Sequence, residues 1–145
     1  MPTNDRSLAA SSSSPDKAQG AAAPLRVLIA EDDRDAAASL EALLLEEGHR
    51  TRCVYRGREV LGAAHDFQAD VILLDIGMPG INGYDIARII RKTFGNQKPR
   101  LIAVTAWNRV PDKLMAKAAG FDHHFGKPCD PNQLLTVLRE IAAQV

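Results

Sequence analysis

Val71-Ile72-Leu73-Leu74-Asp75 is an unbroken apolar run that ends on a carboxylate. Aliphatic side chains without polar alternation suit a strand buried on both faces, the mark of a parallel sheet covered by helices above and below. Leu25 to Ala30 and Leu101 to Thr105 have the same character, while Arg50 to Val54 and His123 to Phe125 read as shorter, more polar strands. Arg50 to Val54 suits an edge.

Helical stretches separate these strands. Asp35 to Glu47 carries Leu40, Leu43 and Leu44 on one side and meets Gly48, a good stop. A weak helix is expected over Glu59 to Ala64. Asn82 can cap a third helix reaching Phe94, with Ile86, Ile89 and Ile90 facing inward and Gly95 closing it. Pro111 to Ala119 ends at Gly120 but starts poorly, because Val110 stands where a Ser or Asp would cap. Asp130, Pro131 and Gln133 open a last helix whose buried stripe runs through Leu134, Leu138, Ile141 and Val145. Strands alternating with helices over short loops predict an α/β fold with a doubly wound, five-stranded parallel sheet.

The 145 residues, 46% hydrophobic, suffice for one core, expected over 25–145. Residues 1–24 are rich in Ser, Ala and Pro and offer little to bury, so they are expected to form a disordered leader. Lys and Arg total 18 against 18 Asp and Glu, which gives no overall field toward nucleic acid or anionic lipid; partners are expected to be proteins. No stretch reaches membrane-span length and no secretory pattern opens the chain, so a cytoplasmic protein is expected. Cys53 and Cys129 have neither C-x-x-C nor metal-ligand spacing and read as reduced packing residues. His49 and His65 read as surface residues, and Arg88, Arg91 and Lys92 as a solvated helix face. His123 and His124, being strand neighbours, point to opposite faces and make a poor shared metal site.

Four polar pieces follow the apolar strands: Glu31-Asp32-Asp33, Asp75, Thr105 and Lys127-Pro128. In a doubly wound sheet they all emerge at the carboxyl edge, where such folds bind ligands. Carboxylates so gathered repel one another unless a cation sits among them, and Mg²⁺ suits an all-oxygen set. Asp75, on a rigid strand end, suits a nucleophile toward phosphorus; Lys127 and the Thr105 hydroxyl can neutralise and hydrogen-bond phosphoryl oxygens. Taken singly the residues allow plainer readings, since Asp33 or Asp35 can cap the first helix. A cis bond is affordable at Lys127-Pro128.

The combination resembles the receiver domain of two-component response regulators, the CheY-like family: an acidic group after strand one, L-L-D-I-G-M-P-G after strand three, V-T-A after strand four and K-P after strand five. The resemblance implies a flavodoxin-like (βα)5 fold with strand order 2-1-3-4-5. It implies phosphoryl acceptance on Asp75 from a histidine kinase or histidine phosphotransfer protein. Mg²⁺ would be bound directly by Asp33 and Asp75, by Asp32 largely through water, and by the Gly77 backbone carbonyl. Thr105 would be the switch hydroxyl and Lys127 the phosphoryl-binding lysine. His124 stands where the family usually has a switching Tyr or Phe, and Ala106 and Trp107 fall at the pocket rim. Catalysis beyond self-phosphorylation and autodephosphorylation is not expected. With no effector region after Val145, output is expected through the fourth helix, fifth strand and fifth helix. It would reach a protein target, as a monomer or a phosphorylation-dependent dimer. A receiver portion of a hybrid kinase and a phosphorylation-independent docking domain are the alternatives. A haloacid-dehalogenase-like phosphatase lacks its second acid at Gly77, and an FMN site is opposed by acids where phosphate would sit.

Overall fold

The computed structural model describes residues 23–107 and 109–144. The expected leader, apart from its last two residues, and Val145 lie outside them. The elements are β1 (Arg26–Ala30), α1 (Arg34–Glu46), β2 (Arg50–Val54), a 3-10 turn (Gly57–Glu59) and α2 (Val60–Phe67). Then follow β3 (Val71–Leu74), α3 (Gly83–Phe94), β4 (Arg100–Thr105), α4 (Val110–Ala119), β5 (His123–Gly126) and α5 (Pro131–Gln144). All strand pairs are parallel, in the order β2-β1-β3-β4-β5, the expected doubly wound sheet.

Strand alternation divides the core into two layers. Leu28, Ile72, Leu74, Leu101 and Ala103 pack with α2, α3 and α4, while Val27, Ile29, Leu73, Ile102 and Val104 pack with α1 and α5. Each of the three central strands is buried on both faces, which is why they read as continuous apolar runs. Leu134, Leu138 and Ile141 form the α5 stripe as expected. Both cysteines are free and half-buried, and burial pushes the Cys53 thiol up to about 11. No helix among the described residues is long and apolar enough to cross a membrane.

Several local expectations give way to tertiary packing. Ile89 is 45% exposed, not inward. The buried side of α3 runs instead through Gly83, Ile86, Ala87 and Ile90, and Gly83 fixes that rotation: a Cβ there would lie 2.6 Å from the Ile76 Cα. α2 continues past Ala64 to Phe67 and ends on Gln68 in the left-handed region at φ 53°, a stop that Gln does not advertise. α4 begins one residue early and is not uncapped, because the Asp112 carboxylate reaches back to accept the Arg109 N–H at 3.0 Å. His65 is exposed, but His49 is half-buried, with Nδ1 accepting the Leu25 N–H at 3.1 Å.

Arg91 is the largest departure from the expected solvated face. Its side chain is only 10% exposed and folds under the end of α3. The guanidinium donates to the Gly120 carbonyl at 2.8 Å, the Pro99 carbonyl at 2.7 Å and the Asp122 carboxylate at 2.7 Å, tying α3 to the start of β4 and the end of α4. Asp122 also accepts the Leu101 N–H at 2.8 Å. Arg91→Ala leaves these acceptors unpaired and is expected to cost about 2–4 kcal/mol, read as a lower urea midpoint with little change in slope. A loss near zero would mean that the network contributes no net stability.

Candidate functional site

At the carboxyl edge the sheet's hydrogen bonding runs past the strand ends. Glu31 donates its N–H to the Val54 carbonyl at 3.1 Å, Asp75 to Ala30 at 3.0 Å and Lys127 to Thr105 at 3.0 Å. The side chains that leave this edge are thereby anchored to the most rigid part of the molecule. Glu31, Asp75 and Thr105 are buried, whereas Asp32 is exposed.

Lys127 lies between two acids. Its ammonium contacts Glu31 Oε1 at 2.5 Å and donates to Asp75 Oδ2 at 2.9 Å. The other Asp75 oxygen accepts the Gly77 N–H at 2.9 Å, and the other Glu31 oxygen accepts the Asp33 N–H at 3.1 Å. Burial alone would lower the Lys127 ammonium, but its bonds to Glu31 and Asp75 outweigh that and hold it above its ordinary 10.5. Glu31 is raised above 4.5 by burial, with the Lys127 and Asp33 hydrogen bonds opposing. The Lys127–Pro128 peptide is cis.

One carboxylate oxygen each from Glu31, Asp32 and Asp75 lie within 4.8 Å of one another. Three carboxylates against one ammonium leave net negative charge on an all-oxygen donor set, which fits a hard divalent cation. Asp33 is not among them. Its carboxylate caps α1, accepting the Asp35 N–H at 3.0 Å and the Ala36 N–H at 3.3 Å. The acids that converge here thus begin one residue earlier than the expected Asp32–Asp33 pair. Sheet pairing continues through Glu31 and α1 starts at Arg34, so residue 33 is left at the helix cap. Sequence reasoning gave Glu31 no role of its own, although an acid directly after a buried strand requires a partner.

The rim is built from the β4 end. Thr105 Oγ1 accepts the Trp107 N–H at 3.2 Å. Trp107 is 45% exposed, and its indole would lie 3.7 Å from a Cβ at Gly77, so ring and loop close one side of the acidic pocket. Tyr84 supports the indole at a centroid distance of 6.4 Å. Ala106 is exposed beside it. His124 is half-buried in β5, and both ring nitrogens are buried without a hydrogen-bond partner among the described residues.

A five-stranded 2-1-3-4-5 sheet with a lysine bridging two acids at its carboxyl edge is the architecture of a receiver. The chain belongs to the response regulator receiver domain family, which it matches over residues 27–139. It is 34% identical over 116 residues to the transcriptional regulatory protein PcoR of Escherichia coli, covering 80% of this chain and 50% of that protein. It is 31% identical over 114 residues to the DNA-binding response regulator MtrA of Mycobacterium tuberculosis, covering 79% of this chain and 49% of that protein. The chain thus spans about half the length of these curated relatives. Among solved structures, the Francisella response regulator 1452 receiver domain superposes with TM-score 0.76 at 26% identity, covering 83% of this chain and 98% of that one. The Vibrio cholerae chemotaxis protein CheY4 gives 0.75 at 25% identity, covering 82% and 99%.

Burial holds the imidazoles of His49 and His124 below their ordinary 6.5. The unfolded chain then takes up protons first as pH falls, so the stability tied to these neutral rings is full above about pH 6.5 and is lost as pH drops through their lowered folded values. His124→Phe is expected to flatten the fall of the urea midpoint between about pH 7 and 5. An unchanged profile would show that His124 is hydrated in the folded protein.

Proposed function

We propose that this domain accepts a phosphoryl group on Asp75 from a phosphohistidine of a histidine kinase or histidine phosphotransfer protein. The observation that carries the reading is the convergence of Glu31, Asp32 and Asp75 on one side and Lys127 on the other at a single strand end. An Asp75 carboxylate oxygen attacks phosphorus in line. The O–P bond forms as the N–P bond breaks, and the donor imidazole leaves with its ring nitrogen free to take a proton. Asp32, Asp75 and the Gly77 carbonyl would hold Mg²⁺, with Glu31 behind them; when bound it supplies positive charge against the phosphoryl oxygens.

Lys127 is already bonded to Asp75, so it needs only to exchange a carboxylate oxygen for a phosphoryl oxygen. Thr105 would turn its hydroxyl inward to donate to another phosphoryl oxygen, and that rotation would carry Oγ1 away from the Trp107 N–H it now accepts and tug the segment leading into α4. The His124 ring nitrogens have no hydrogen-bond partner among the described residues to oppose a rotation with it. The domain's output is then a changed α4–β5–α5 surface read by a protein partner. The charge balance favours protein over nucleic acid as the domain's own contact. A docking role independent of phosphorylation would not need all four pieces to be present.

The test is Trp107 fluorescence during titration with Mg²⁺ and then beryllofluoride. The expected response needs Mg²⁺ and disappears in Asp75→Asn. Asp32→Ala should weaken Mg²⁺ by about tenfold or more, while Asp33→Ala should change it by less than about threefold. A large loss in Asp33→Ala with none in Asp32→Ala would reverse the ligand assignment, and no response in the unaltered protein would leave a docking domain. Trp107→Ala opens the rim to water and should shorten the acyl-phosphate lifetime about 2–10-fold; an unchanged decay would sink that role.

A further inference from the structure

β2 is an edge strand beside β1, and its outer side combines the hydrogen-bonding groups of an open ladder with an excess of positive charge. In a parallel ladder the residues bonded to one neighbour alternate along the strand. Arg50 donates its N–H to the Leu25 carbonyl and the Val54 carbonyl accepts the Glu31 N–H, so the even-numbered residues of β2 bond to β1. The peptide groups of Thr51 and Cys53 therefore point outward, where no strand pairs with them among the described residues. Charge follows the same alternation. Arg50 and Arg52 are exposed on the face where Val54 packs with α2, and Arg26 stands opposite Arg50 on β1. The Arg26 and Arg52 guanidiniums both lie over the Phe67 ring, at 5.8 and 5.3 Å from its centroid. None of the three arginines enters an ion pair among the described residues. Asp70, which precedes β3 beside Arg26, is committed to the Arg26 backbone N–H at 2.8 Å and to the Lys98 ammonium at 3.0 Å. Like charges opposite one another in a ladder are destabilising, and the Phe67 ring is the group that offsets them here.

We propose that the outer edge of β2 takes an extended acidic segment of a partner protein as an added strand, with carboxylates at alternate residues reaching Arg50 and Arg52. The backbone of such a segment both donates to and accepts from the outward peptide groups of Thr51 and Cys53, and the two-residue period puts every second side chain on the arginine face. The intervening side chains lie on the other face, where the Thr51 hydroxyl is bonded to Glu41 and Cys53 packs with the α1 layer, so small β-branched residues suit them. Stacking on Phe67 holds the Arg52 guanidinium in place and lowers the cost of ordering it on binding. A second copy of the chain is a poor occupant, since two β2 edges related by a two-fold axis would set their arginines against one another. Nucleic acid would satisfy the guanidiniums but turn phosphate oxygens toward the outward carbonyls of Thr51 and Cys53. This edge lies on the opposite side of the sheet from β5, and its chemistry is independent of phosphoryl transfer to Asp75.

The probe is a fluorescently labelled peptide of about 9 residues in which Glu alternates with Val. Two copies carry Gln or Lys in place of Glu. Anisotropy is measured against the full chain, and hydrogen exchange at the Thr51 and Cys53 amides is followed by NMR with and without the peptide. Saturable binding of the Glu peptide is expected. It should weaken about tenfold or more for the Gln peptide and for the Arg50→Glu/Arg52→Glu double variant, which should instead bind the Lys peptide. Binding of that Lys peptide also shows that the variant is folded. At saturation, exchange at the Thr51 and Cys53 amides should slow about fivefold or more, which a contact between side chains alone would not produce. No saturable binding, binding indifferent to the charge changes, or binding without slowed exchange at both amides overturns the proposal. So does slow exchange at both amides in the chain alone, which would mean that the edge is already covered by the chain itself or by a second copy.

Discussion

Lys127 is, among the described residues, the one cation bonded to Glu31 and Asp75 at the carboxyl edge, and its position follows from long-range structure. It meets Glu31 from 96 positions away and Asp75 from 52 positions away. Both acids have lost most of their water, so each needs a partner, and a single ammonium serves the two. Removing that ammonium would leave two buried carboxylates facing each other beside Asp32. The edge is therefore assembled around a charge balance that is incomplete by design of its residues: one positive group against three negative ones, an arrangement that attracts a further cation.

That balance depends on the parallel register. β3 pairs with β1 on one side and β4 on the other, and β4 pairs with β5, so four strand ends are brought level without any long loop. The backbone bonds from Glu31, Asp75 and Lys127 extend the ladder one residue into the loops. Side chains fixed in this way need little rearrangement to engage a ligand. The helices contribute by rotation. Gly83 lets α3 approach Ile76, which keeps the loop carrying Gly77 close to the Trp107 indole.

The strands and the edge on which the site lies were legible because central parallel strands are apolar on both faces and their first polar residue must emerge at the end. What was not legible depended on contacts across the chain. Three consecutive acids permit more than one register, and only the continuation of β1 through Glu31 and the start of α1 at Arg34 decide that Asp33 is a cap. Arg91 looked solvated because its helix position is compatible with water; the acceptors that draw it inward, Gly120, Pro99 and Asp122, come from other elements. Ile89 fitted an apolar stripe on spacing alone, but the true face is set by which side can carry Gly83 against a backbone. The α4 cap escaped notice because Asp112 reaches backward from inside the helix.

The rim joins these features into a mechanical argument. The Thr105 hydroxyl accepts the Trp107 N–H, and Arg109, two residues beyond Trp107, is held by the Asp112 carboxylate inside α4. A hydroxyl can accept one bond and donate another, so a demand from the acidic pocket disturbs this bond only by turning Oγ1 away from the Trp107 N–H. A hydrogen bond is worth about 0.5–1.5 kcal/mol net, and one to a charged acceptor is the stronger. A phosphoryl group at Asp75 that turned the Thr105 side chain inward would therefore release the Trp107 amide and loosen the approach to α4. Among the described residues the His124 ring nitrogens hold no hydrogen bond that would oppose such a movement. Under the proposed function, the coupling thus requires no distant relay: the group that would sense phosphorylation and the backbone that leads into α4 share one hydrogen bond.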